Sequence, residues 1–432
     1  MIQSELRTLR YSNGDIQRVQ IVRFDSFRSL RFLRPKYDPS VLQEYARIYR
    51  RFLVPACPWI FGHLVLIRGE DEYRRILLEE AQLLRGGMRF WHTLPRFTKS
   101  KAGTLYEALQ RTHAVETASG RLPFVRVIPV GAEPGLLSKS EPDAALKVNA
   151  SFFLLDPFDC ATRYDIAGTP FGLAVENGQI LLPPLYEREA LFVHHSGLVR
   201  VARASLSDLS IELNGKIFHD GQNAKLYTRP ERRRTPSDNG WDHVIIGREV
   251  VDVRPGGHAE IPASGFVLHT AERAASTGDS LCYHGLEDLA FAIQAGNSLV
   301  RDGKATDRFI SRFFNIRRPW RVPYPPSLYP LDYQKARAAR IALGADAAGK
   351  PMLLWAEGAA KIGYQKGIDS CGASLSEFAQ ICVEAGMHNG INLDGGGSAQ
   401  ILLRGERMLK ISDRREDGSE QERSVPLGLI IR

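Results

Sequence analysis

The sequence predicts a two-part chain: a smaller, helix-containing N-terminal region over residues 1–120, and a β-sheet-rich remainder over 121–432 with a few helices. Three observations predict this. At 432 residues the chain is long for one compact core. Residues 39–53 and 71–85 have helical spacing, and beyond residue 120 the texture changes to short apolar runs divided by turn residues.

The elements follow in order. Residues 17–25 alternate as a strand. PSVLQEYARIYRRFL (39–53) is read as a helix with Pro39 early and Asp38 as its cap. DEYRRILLEEAQLLR (71–85) is a second helix, acidic at its start, basic at its end and stopped by Gly86 and Gly87. Strands are expected in LPFVRVIPVG, LKVNASFFLL, FGLAVENGQILL, GLVRVARA, SIELNGKIF and AKLYTRP, with Asn-Gly pairs marking hairpins. Residues 285–296 are read as a short helix, and RRPWRVPYPPSLYP (317–330) as a loop or edge crossover. RAARIALGAD and PMLLWAEG form a strand pair. A helix follows, opened by a capping box of Ser374 and Glu377, with Leu375, Phe378, Ile381, Cys382 and Ala385 as its apolar stripe and Gly386 as its stop.

The hydrophobic fraction of 44% and charged fraction of 25% are those of an ordinary folded protein, which excludes disorder. The net charge of +8 lies in the N-terminal region, where 20 Lys and Arg face 12 Asp and Glu. Such a surplus suits an anionic partner, such as nucleic acid or an acidic surface, or a solvated Arg-rich face. The cysteines Cys57, Cys160, Cys282, Cys371 and Cys382 are odd in number and contain no CxxC pair, so neither a zinc site nor a disulfide framework is expected. No metal-ligand cluster stands out, and no cofactor is expected. The opening MIQSELRTLRYSNGD lacks the apolar core of a secretory signal and no run reaches membrane-span length, so the expected location is cytoplasmic.

Common catalytic signatures are absent: there is no GxSxG elbow, Walker loop, HExxH or helix-opening GxGxxG. What remains is INLDGGGSAQ (391–400). Three consecutive glycines carry an entropic cost that an ordinary turn does not require. Placed between two apolar runs they end one strand and begin the next, with the polar side chains of Asn392 and Asp394 at the strand end. That is a place for a small polar ligand.

INLDGGGSAQILLRG resembles the signature of the phosphodiester glycosidase family. RAARIALG resembles that family's Arg-centred strand, GASLSEFA its helix start, VNASFF its Asn-Gly-Gly-Phe-Phe strand, AIQAGNSLVRDGK the segment before a hairpin, and RSVPLGLII its closing strand. The order along the chain agrees, and the resemblance covers about residues 120–432. It implies an α+β fold of sheets with a few helices, and hydrolysis between a sugar's anomeric carbon and a phosphodiester oxygen. The products are a phosphomonoester and a free sugar. One departure is that Ala150 and Ser151 stand where the family strand has two glycines, which narrows the site or changes which sugar fits.

On that resemblance, Asp394, Arg340 and Glu377 form the expected catalytic set. Asp394 is the acid/base or the stabiliser of the anomeric cation. Arg340 is the phosphate clamp, because a guanidinium is permanently charged and matches two phosphate oxygens. Glu377 matches the family by position, although its capping-box role accounts for it as well. Expected substrate contacts come from Asn149, Asn392, the amides of Gly395, Gly396 and Gly397, and Ser398, with Asp369 and Arg229 at the rim. Two other readings are a non-catalytic phosphosugar or glycan-binding module, and an interaction protein working through its basic N-terminal region.

Overall fold

Residues 1–34, 63–67, 125–129, 135–154, 162, 164, 168–170, 172–185, 188–229, 232–306, 336–359, 364–415 and 417–432 are described by the computed structural model. The two expected N-terminal helices and the 317–330 loop lie outside them.

IQSELRTLR and IQRVQIVRF form an antiparallel hairpin of strands Ile2–Arg10 and Ile16–Phe24. The first strand is largely exposed, whereas the second is buried along most of its length. The second strand is covered beside Pro351–Ala356, with Ile21 opposite Leu354. Residues 31–33 likewise pair with Gly428–Ile431. This corrects the expected boundary at residue 120: the first strands are built into sheets with the C-terminal half. Contacts divide the chain into one unit of residues 1–37, 134–153 and 170–432, and a second of residues 38–133 and 154–169. In the second unit, His63–Ile67 pairs in parallel with Val125–Pro129.

The first unit is built of sheets. A seven-stranded antiparallel sheet runs in the order Ile2–Arg10, Ile16–Phe24, Pro351–Ala356, Arg340–Ala345, Asn389–Asn392, Ser298–Arg301, Lys304–Ala305. One five-stranded sheet centres on Leu146–Asn149 and carries Ile401–Leu403 on one side and Gly428–Ile431 on the other. A second five-stranded sheet centres on Leu289–Gln294, and three- and four-stranded sheets complete the unit. The expected hairpins form at Asn177 and Gly178 and at Asn214 and Gly215, each pair at positive φ as a tight two-residue turn requires.

Leu289–Gln294 corrects the helix expected over 285–296. Every residue of this strand is buried between Arg188–His194 and Ala174–Glu176. A strand covered on both faces reads as a continuous apolar run, which periodicity alone cannot separate from a buried helix.

The described residues contain one α-helix, α1 (Leu375–Glu384). Its capping box is complete, with the Ser374 hydroxyl accepting from the Glu377 amide and the Glu377 carboxylate accepting from the Ser374 amide. Leu375, Phe378, Ile381 and Cys382 pack into the seven-stranded sheet's core with Val19, Ile21, Ala342 and Leu354. Replacing Ser374 by Ala is expected to cost about 1 kcal/mol in thermal unfolding, because it orphans an amide of the first turn. No described helix is long and apolar enough to cross a membrane.

The four-stranded sheet carries a pH-sensitive group. His243, fully buried, accepts from the Ala274 and Ala275 amides at Nε2 (3.1 and 3.3 Å) and donates from Nδ1 to the Leu268 carbonyl (3.2 Å). This arrangement suits the neutral ring, and burial pushes its pKa below the ordinary histidine value. The folded state therefore resists a proton that the unfolded chain accepts near pH 6.5. This contribution to stability is complete above that pH and declines as pH falls below it. Urea midpoints at pH 8 and pH 5.5 test this: the drop should shrink in His243→Gln.

Candidate active site

The glycine stretch joins two sheets. Asn389–Asn392 ends in the seven-stranded sheet, Ile401–Leu403 begins in the sheet of Leu146–Asn149, and residues 394–400 make the crossing. The crossing is held at nearly every step. Leu393 donates to the Ile341 carbonyl (2.8 Å), Asp394 to Ala150 (3.0 Å) and Gly396 to Ala339 (2.9 Å), while Ser398 and Ala399 close a 3₁₀ turn onto Gly395 and Gly396.

All three glycines have a clear steric reason, and a Cβ on Gly395 would lie 2.7 Å from the Ala339 carbonyl oxygen. Gly396 sits at φ +58°, which side chains rarely adopt. A Cβ on Gly397 would lie 2.1 Å from Asp413 Oδ2 and 2.3 Å from Arg423 Nη2. Those two residues form an ion pair, with Arg423 donating from Nε (3.0 Å) and Nη2 (2.7 Å) to Asp413 Oδ2 and from Nη1 to the Ser398 hydroxyl (3.5 Å). Sequence reasoning missed this pair. Its one trace was the demand for a bare backbone at Gly397, because residues 413–423 mix charges with no period to single out two.

Asn149 stands beside the loop, as expected, but in a different role. Its Nδ2 donates to the Asp394 carbonyl (2.6 Å) and its Oδ1 accepts from the Gln400 amide (3.0 Å), so one buried side chain clamps both ends of the crossing. Both polar ends of the amide expected to contact substrate are thus engaged by backbone, and Asn149 positions the loop. Asn392 is also buried, and its backbone joins Asn297 and Gly296 (2.9 and 2.7 Å). The half-buried Asp394 lies at the loop's start.

Arg340 opens the neighbouring strand, directly after the Ala339 whose carbonyl holds Gly396. It is 4% exposed, and its Nε and Nη2 donate to the carbonyls of Ala373 (3.1 Å) and Ala336 (2.9 Å). It is a fixed positive charge next to the loop, at the position where the sequence places a phosphate clamp. Glu377, expected in the catalytic set, is held in the capping box of α1. One carboxylate oxygen takes the Ser374 amide and hydroxyl (both 2.9 Å) and the other takes Arg337. Arg337 lies over the Tyr11 ring (5.3 Å) and donates to Cys371 Sγ (2.8 Å). Burial raises the Cys371 pKa, against the pull of Arg337, so the group stays a thiol at neutral pH.

The two rim candidates belong to other local structures. Asp369 is half-buried and accepts from the Gln365 amide (2.8 Å) in a turn, and Arg229 donates to the Ile261 carbonyl (3.0 Å). Among the described residues, no three His, Cys, Asp or Glu side chains are grouped to hold a metal ion. The structure thus gathers Asp394, Arg340, Asn149, Asn392 and residues 395–398 around one crossing.

Among curated proteins, none matches this chain. Solved structures similar to it include a hypothetical protein from Synechocystis, at 17% identity and a TM-score of 0.44, with all of this chain and 62% of that one covered. The chain therefore spans less than two thirds of that protein's length. Others are the catalytic domain of zebrafish N-acetylglucosamine-1-phosphodiester alpha-N-acetylglucosaminidase, auto-inhibited by its pro-peptide (12%, TM-score 0.41, all of this chain and 83% of that one), and a putative exported protein from Burkholderia pseudomallei (14%, TM-score 0.40, all of this chain and 96% of that one). The sequence model of the phosphodiester glycosidase family matches residues 207–432, more than half of the chain, and that span holds the glycine crossing, Arg340 and α1. The chain belongs to the phosphodiester glycosidase family.

Proposed function

We propose that this protein hydrolyses a glycosyl phosphodiester at the anomeric carbon. Water adds to that carbon, the bond from it to the phosphodiester oxygen breaks, and a free sugar and a phosphomonoester leave. The observation that carries the reading is a half-buried carboxylate, Asp394, on a crossing braced by backbone bonds, with the buried cation Arg340 on the adjoining strand. An oxocarbenium-like transition state needs a carboxylate near the anomeric carbon and positive charge near the departing phosphate. A braced loop supplies both without reorganising at the moment of reaction.

In this mechanism Asp394 assists departure at the anomeric carbon, and Arg340 offsets the charge gathering on the phosphate. Gly396, Ser398 and Ala399 use their amides within the protein, so the amides of Gly395 and Gly397 are the ones that hold phosphate oxygens. Ser398 and Asn392 orient the sugar, and Asn149 keeps the loop in place. The reading is tested by incubating the wild-type protein with hexose 1-phosphodiesters and nucleoside-diphosphate sugars and measuring free sugar and phosphomonoester together. Equimolar release of both supports it. Binding measured by calorimetry without release would favour a recognition module instead.

A further inference from the structure

We infer that Ser151 is a sugar-binding residue that determines specificity, its hydroxyl pairing with one hydroxyl of the bound sugar; the inference rests on the function proposed above. Ser151 is 4% exposed, and its Oγ is buried without a hydrogen-bond partner. A buried hydroxyl left unpaired destabilises the fold, and its presence needs an explanation. Its position offers one. The peptide bond leading into Ser151 carries the Ala150 carbonyl that accepts the Asp394 amide, and Asn149, two residues earlier, clamps both ends of the same crossing.

Ser151 is not the only residue with such a group. Gln400, at the crossing's end, has a buried Nε2 without a partner, and the Ser412 hydroxyl, which precedes Asp413, is likewise buried without one. A Cβ on Gly358 would lie 2.3 Å from the Ser412 Oγ and 2.7 Å from the amide of Ala339, the residue that holds Gly396. Ser151 and Gln400 thus carry unpaired atoms on residues next to the two ends that Asn149 clamps, as a site shaped for a polar ligand would leave them. The positive charge that suits a phosphate is on the Arg340 side. A neutral hydroxyl, both donor and acceptor, matches a sugar hydroxyl.

The test compares wild type, Ser151→Ala and Ser151→Gly on a hexose 1-phosphodiester and its single-deoxy analogues, with thermal unfolding alongside. Ser151→Ala should melt about 1–3 °C higher, because the unpaired hydroxyl is gone. Its kcat/KM on the parent sugar should fall about tenfold or more. Wild type should reject one deoxy analogue by about the same factor, and the variant should accept that analogue and the parent equally. A merely structural hydroxyl would move stability and leave these ratios alone. If Ser151→Ala folds poorly, Ser151→Gly, which cannot overfill the site, carries the comparison. Wild-type turnover with every parent-to-deoxy ratio preserved in the variants overturns this inference and leaves the proposed function standing. Absence of wild-type turnover on the whole panel overturns both.

Discussion

Asp394→Asn is expected to lower kcat for sugar release by on the order of 10²–10⁴, while substrate affinity changes little. The substitution keeps the shape of the side chain and the backbone bonds that set the crossing, which run from the Asp394 amide to Ala150 and from Asn149 to the Asp394 carbonyl. What disappears is the negative charge and the ability to exchange a proton. Rate and binding should therefore separate, with turnover measured by released sugar and affinity by calorimetry. An Asn variant that turns over like wild type would show that Asp394 merely caps the bend. A variant that loses affinity as much as rate would point to a disturbed loop, which circular dichroism and the melting temperature would reveal.

Arg340→Ala should act on fold and function together. The guanidinium is buried and donates to Ala373 and Ala336, so truncation strands two carbonyls and removes a cation from a packed position. A stability loss of about 2–4 kcal/mol is expected. Arg340→Lys separates the two effects. It keeps the charge, but one ammonium cannot reproduce the planar fork, so stability should fall by roughly half as much. Its kcat/KM, measured well below its melting temperature, should still fall on the order of 10²-fold, because the charge no longer sits in its fixed place. Wild-type kcat/KM in a fully folded Lys variant would make Arg340 a structural residue only.

Much of this architecture was legible along the chain wherever a signal was local. The Ser374 and Glu377 cap, the Asn-Gly hairpins and the pairing of Arg340–Ala345 with Pro351–Ala356 each depend on residues close in sequence, and each formed as expected. Leu289–Gln294 was misread because burial on both faces erases the alternation that marks a strand. Ile16–Phe24 was recognised as a strand but placed in the wrong body, since its partner, Pro351–Ala356, lies far downstream. Its alternation announces a strand without naming what that strand pairs with.

The site divides in the same way. The glycine run, with Asn392 and Asp394 beside it, marked the crossing from sequence alone, because three bare residues at a strand end have few other uses. Which polar groups there are already engaged was a matter of packing. Asn149 and Glu377 carry the right chemistry for a substrate, yet one clamps Asp394 and Gln400 while the other is occupied by Ser374 and Arg337. Arg423 and Asp413 meet only because Gly397 leaves them room. A residue type and its spacing state what a side chain is able to bind. Whether a neighbouring backbone has already claimed it depends on contacts between distant segments, and those exist only once the sheets have closed around the loop.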